Sequence, residues 1–281
     1  MRIVLSNLCV VFIFVLISAD AFASNHELIG FRIEKLNQQI IIYENDPALL
    51  VKRGKLYLEL DQFEPAIADF QHAIKVDPTF SKAVYLLGST FLTVEAFEEA
   101  KIALNVYLKI QPRDVVGLET YAQTLVKLNA FSDAAKYYDQ AIMFNRTPSI
   151  EIYLDRAKAL MQVEPLPMRY IEKGLKVGLR KHGPTLSYFE LLVEANLKVE
   201  NDTKALYWVD QIPESIRNNP TWLIKRAQIY EYQGENLLAI QQYKKLLHKI
   251  GNLTREQQKA PAMLEARNIS RQEIARLKRH F

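Results

Sequence analysis

Residues 58–80 read "LELDQFEPAIADFQHAIKVDPTF". Ala66, Phe70 and Ala73 share one face of a helix, and Asp77-Pro78 closes it, because proline cannot continue a helix. The same skeleton returns one fixed step later as Ala100, Leu104, Tyr107 and Pro112, and after an equal step as Ala134, Tyr138 and Ala141. A preceding helix repeats in step, with Gly54 and Tyr57, then Gly88 and Phe91, then Ala122 and Leu125. Two helices approach closely only where a small side chain sits at their crossing, and a large one fills the space beside it. The periodicity therefore predicts stacked helix pairs, with Ala66, Ala100, Ala134, Ala205 and Ala239 at the crossings of the second helices.

The rest of the chain extends this frame with drift. A fourth unit carries Tyr153, Ala157 and Leu160 on its first helix, but Arg169 stands in the alanine slot of its second. Shifting by two residues places Ile171 and Gly174 in register with Phe70 and Ala73, so "EPLPM" at 164–168 reads as an altered turn. A fifth unit keeps Phe189, Leu192 and Ala205, puts Val193 and Asn196 in the small and aromatic slots, and has a second helix shortened by Pro213. A sixth recovers the pattern with Leu223, Ala227, Tyr230, Gly234, Ala239 and Tyr243. No window alternates as a strand would.

The step and its small/aromatic pattern resemble the tetratricopeptide-repeat (TPR) family. The resemblance implies an all-α fold, a right-handed α–α superhelix or TPR-like solenoid with helical caps. Six units are expected, at 47–80, 81–114, 115–149, 150–185, 186–219 and 220–253. Solenoids need their open edges covered. Residues 24–46 supply one cap, with Ile33, Leu36, Ile40 and Tyr43 on one face. Residues 254–281 supply the other, with Met263, Ala266, Ile274, Leu277 and Phe281 as its stripe.

The amino terminus reads as a targeting signal over residues 1–23. Arg2 precedes the apolar run Leu8–Ile17, "LCVVFIFVLI", and Ala21-Phe22-Ala23 fits a small-x-small cleavage site. Cleavage would leave Ser24 first and remove Cys9, the only cysteine. The mature chain then needs no disulfide and has no thiolate ligands. Export is the expectation, to the periplasm in a double-membrane bacterium and to the outside otherwise.

The chain holds 36 basic and 32 acidic side chains, and seven basic against three acidic fall in residues 250–281. The body is balanced and only the tail is basic. A nucleic-acid partner would need a basic stripe on the main surface, so none is expected. The tail reads as a solvated helix face in preference to an anionic-lipid contact. The histidines His26, His72, His182, His248 and His280 are scattered, no two at helical ligand spacing, so no metal is expected and each reads as a surface residue. Gly174 and Gly178 lack the Lys-Ser/Thr of a phosphate loop. No cofactor and no enzymatic activity are expected.

Within the family, first helices line a concave groove. That implies a partner-binding set of Val51, Lys52, Lys55, Lys82, Tyr85, Leu86, Ser89, Leu92 and Gln123, with Tyr85, Leu86 and Leu92 as the apolar contacts. The family subtype that clamps acidic tails is not matched, since its slots hold Val51, Lys55, Leu86, Val116 and Thr120. The expected role is an exported scaffold or adaptor that holds a peptide or helix of a partner protein, in envelope assembly or the maturation of exported proteins. The alternatives are an accessory subunit of an exported enzyme, or a membrane-attached scaffold if the signal stays uncleaved.

Overall fold

A computed structural model describes residues 26–280. Residues 1–23, read above as a targeting signal, and Phe281 lie outside them. Among the described residues every regular element is helical, and no helix there is long and apolar enough to cross a membrane. The chain forms two compact bodies, divided at Asn145 and Arg146.

The first body contains α1 (26–42), α2 (Pro47–Glu59), α3 (Phe63–Val76), α4 (Ser81–Thr93), α5 (Phe97–Ile110), α6 (Val115–Lys127) and α7 (Phe131–Phe144). Helices pair as α2 with α3, α4 with α5 and α6 with α7, and each pair stacks on the next through α3–α4 and α5–α6. The small residues sit where close approach demands them. Ala66, Ala100 and Ala134 are fully buried. A methyl group added at Gly54 would come within 2.5 Å of Phe70, and one at Gly88 within 2.6 Å of Leu104. The small slot of one helix and the large slot of its partner thus specify each other.

The turn inside each pair has its own signature. Asp61, Glu95 and Asn129 hold positive φ of 54°, 61° and 58°, at the same step as the buried alanines. The left-handed residue lets the second helix start within three residues of the first. The N-cap positions of α3, α5 and α7 are Gln62, Ala96 and Ala130, and none of them makes a side-chain cap bond. Acidic residues in the first turn, namely Glu64, Glu98, Glu99 and Asp133, face the positive helix ends instead. Two first helices of this body are capped conventionally: Asp46 accepts from the Ala48 amide at 2.8 Å and Asp114 from the Gly117 amide at 2.7 Å.

The second body contains α8 (Ile150–Leu160), α9 (Met168–His182), α10 (Leu186–Lys198), α11 (Asp202–Gln211), α12 (Glu214–Arg217), α13 (Pro220–Tyr232), α14 (Asn236–Gly251), α15 (Arg255–Gln258) and α16 (Pro261–Leu277), with a closing 3-10 turn. Positive φ recurs at Glu200 and Gly234, which keep the spacing of the first body. Ala205 and Ala239 are fully buried. As expected, α11 stops just before Pro213.

The fourth unit departs from the expected register. Between α8 and α9 lie seven residues, 161–167, in place of the three between α2 and α3. The amide of Ile171 bonds to the carbonyl four residues back, at the helix entry, as Ala66 and Ala100 do in theirs. Ile171 therefore takes the alanine slot, Leu175 the aromatic slot and Gly178 the later small slot; Ile171 and Leu175 are fully buried. The shift runs opposite to the one the sequence suggested, because the longer turn adds residues. Gly174 instead faces the Arg156 guanidinium.

α16 covers the far edge of the sixth pair. Leu277 packs with Ala239 and Tyr243, and Ala266 with Leu246 and Ile250. The Tyr243 hydroxyl donates to Glu231 at 2.9 Å, and Arg276 binds both Glu231 and Glu273. Burial, then Glu231, push the Tyr243 pKa upward. At the other end, Ile40 of α1 packs on the core of the first pair. Tyr43 does not join it. It lies past the end of α1 and is exposed.

Candidate peptide-binding face

The partner-binding residues named from sequence separate into three environments. Val51 is not available to a ligand. It is 2% exposed, in a cluster with Leu50, Ala66 and Phe70 against which Ile40 packs. The slot that stays open on later first helices is covered here by the capping helix.

Tyr85 stands at the seam between the second and third pairs. Its ring lies 5.2 Å from that of Tyr107, tilted by 51°, and its hydroxyl is 3.4 Å from the Thr120 hydroxyl. Burial, followed by a hydrogen bond with Asp114, pushes the Tyr107 hydroxyl up to about 12. Tyr85 is half-buried. Leu86 is half-buried against the core of the first pair, and Leu92 is half-buried as well. Ser89 is half-buried too, and its hydroxyl donates to the Leu86 carbonyl. Lys82 and Gln123 are exposed.

Lys52 and Lys55 border a cleft of about 410 Å³ between α1 and α2. Its other wall is Arg32, Lys35, Leu36 and Gln39. These residues were missed in the sequence because α1 lies outside the repeat and was read only as a cover. The signal was present as Arg32 and Lys35 on the polar side of the Ile33–Leu36–Ile40 stripe.

In the second body, α16 packs beside α14 and α13 much as α4 packs beside α3 and α2. Along α13 it leaves a cleft of about 470 Å³, bordered by Thr221, Ile224, Lys225, Gln228, Met263 and Ile269. A second cleft of about 400 Å³ continues from Gln228 to Tyr232 and Arg276.

His182 is not the surface residue its sequence context suggested. One ring nitrogen lies 2.8 Å from the Tyr188 hydroxyl and the other 2.9 Å from the Pro148 carbonyl. The ring stacks on Tyr188. Tyr188 is fully buried, and burial pushes its hydroxyl up to about 12. The cluster anchors the end of α9.

Paired helices of this length, with small residues at every crossing, define a helical-repeat protein. Residues 47–80 match the sequence model of a tetratricopeptide repeat. Over 105 residues the chain is 27% identical to small glutamine-rich tetratricopeptide repeat-containing protein 2 of Mycosarcoma maydis; the match covers 37% of this chain and 30% of that protein's length. Among solved structures, YrrB, a TPR protein with an unusual peptide-binding site, aligns with a TM-score of 0.56 at 18% identity, over 75% of this chain and 99% of its own. A tetratricopeptide repeat protein from Parabacteroides merdae ATCC 43184 aligns with a TM-score of 0.50 at 14% identity, over 86% and 92%. MamA from Desulfovibrio magneticus RS-1 aligns with a TM-score of 0.51 at 12% identity, over 59% and 92%. The resemblance read from the sequence is borne out in the repeat that matches and in the fold shared with solved tetratricopeptide-repeat proteins.

Proposed function

We propose that the chain is a non-catalytic scaffold that holds a peptide or helical segment of a partner protein against its first-helix face. One observation carries this reading. Corresponding positions of the first helices in the two bodies, Lys52 and Lys55 in α2 and Lys225 and Gln228 in α13, border preformed clefts against a flanking helix. Preformed concavity lowers the ordering cost of binding, which suits recognition of an extended or helical segment. Tyr85 adds an aromatic edge on the same kind of surface. We further propose that the chain is exported with cleavage after Ala23, and that it serves envelope assembly or the maturation of exported proteins. The targeting pattern of residues 1–23 supports export.

The test is crosslinking in the native compartment, identification of the partner by mass spectrometry, and binding kinetics with the purified pair. Tyr85→Ala should weaken binding by about 1–3 kcal/mol through a faster off-rate, with the fold intact. Lys82→Ala should chiefly slow association at low salt, since an exposed charge acts by steering. A Tyr85→Ala variant that melts early yet binds normally would make Tyr85 a packing residue and move the partner elsewhere.

A further inference from the structure

We infer that the cleft between α1 and α2 is a binding site for an acidic peptide segment of the partner. The inference takes the interaction-scaffold reading as its ground for a protein ligand, and the site itself stands on its charges.

The cleft gathers Arg32, Lys35, Lys52 and Lys55 around a single carboxylate, Glu59. Glu59 pairs with Arg32 at 3.9 Å, and both side chains are more than half exposed. Lys35, Lys52 and Lys55 have no ion-pair or hydrogen-bond partner among the described residues. This is unlike the second helices, where Lys101 pairs with Glu98 at 3.1 Å and Lys136 with Asp133 at 2.8 Å. Arg53, also on α2, takes no part, because Asp69 holds it.

The spacing makes the concentration of charge unfavourable on its own. Arg32 and Lys35 are three residues apart on α1, and Lys52 and Lys55 are three apart on α2. Each is a like-charge pair on one helix face, and the two pairs border the same cleft. A protein that is balanced in charge over most of its length thus holds a local positive field, which draws anions and is relieved by them. The floor is not that of a simple ion site. Leu36 is half-buried and Leu56 is buried, and Gln39 offers an amide at the edge. Aliphatic side chains beside carboxylates fit this lining, so a peptide carrying Glu or Asp next to Leu, Ile or Val matches it better than a bare phosphate.

The probe is a fluorescein-labelled synthetic peptide of alternating Glu and Leu, titrated with the full chain and followed by anisotropy. Its control carries Gln in place of Glu. The Glu peptide should bind saturably and at least ~10-fold tighter than the Gln peptide, and binding should fall as salt rises. The double variant Lys52→Ala/Lys55→Ala should lose at least ~10-fold, with an unchanged melting curve, while Lys109→Ala should behave as wild type. Absence of binding, equal binding of the Gln peptide, or an unaffected double variant overturns the site. Equal binding of phosphatidylglycerol vesicles or a single-stranded oligonucleotide, lost in the same double variant, overturns the assignment to a peptide. Tyr85 lies outside the cleft, so its alanine variant should bind the probe normally. Failure of the probe therefore leaves the scaffold reading to be decided by partner capture.

Discussion

At the scale of single residues, the structure is governed by what cannot be enlarged and what cannot be left unpaired. Ala100 is fully buried at the crossing of α5 with α4. Ala100→Arg should cost at least ~2 kcal/mol in urea unfolding, by overpacking and by burying a charge. Arg53 and Asp69 form two hydrogen bonds, at 2.9 and 2.6 Å, with Asp69 only 4% exposed. The bond to Asp69 raises the Arg53 pKa. Asp69→Ala should lower stability by about 3 kcal/mol, because it takes the carboxylate from a guanidinium beside the core and leaves it only the Asn37 side chain at 2.8 Å. Glu172 supplies a pH dependence. Burial alone would raise its pKa, but Lys204 at 2.5 Å and Lys176 at 3.5 Å outweigh it and the net shift is downward. A carboxyl with a lowered folded-state pKa stabilises above its ordinary range and loses that contribution as pH falls through the folded value. Thermal melts should therefore show an acid-side decline that is shallower in Glu172→Gln. Identical profiles for the two would assign the pair no role.

At the scale of elements, the repeat was legible because its determinants are local. Ala66, Ala100 and Ala134 recur at a fixed step and are buried alike, and a strict period leaves little freedom in where each helix starts. What the small/aromatic pattern does not encode is turn length. In the fourth unit Ile171 could be placed against Phe70 or against Ala66, and only the hydrogen bonding at the start of α9 decides for Ala66. The positive-φ residue is likewise hidden, since Asp61, Glu95, Asn129 and Glu200 share no side-chain type with Gly234. Gly234→Glu should cost about 1 kcal/mol, the penalty of a Cβ in the left-handed region. A cost near zero would show that the turn relaxes. The site was legible in part. The family slots led to Lys52 and Lys55, but not to Arg32 and Lys35, which belong to a helix outside the repeat. They also included Val51, because a slot records which way a residue points and not what packs over it.

At the scale of the whole molecule, the flanking helices carry stability and, on the proposal made above, recognition. Removal of residues 261–281 should expose Tyr243 and Leu246, which are buried beneath α16. The truncated chain should melt earlier or associate in analytical ultracentrifugation. A stable monomer would show that α16 is not a cap. Export makes a separate prediction: sequencing of the abundant cellular form should begin at Ser24, and a form beginning at Met1 in the cytosol would remove the proposal. The central claim is that the first-helix face receives the partner. Its most direct measurement is site-specific photocrosslinking in the native compartment, with the reactive side chain placed in turn at Lys82 and Gln123 on first helices of the first body and at His72 on a second helix of it, all three exposed. The account predicts the same partner adduct from Lys82 and Gln123 and none from His72. An adduct from His72 alone would contradict it.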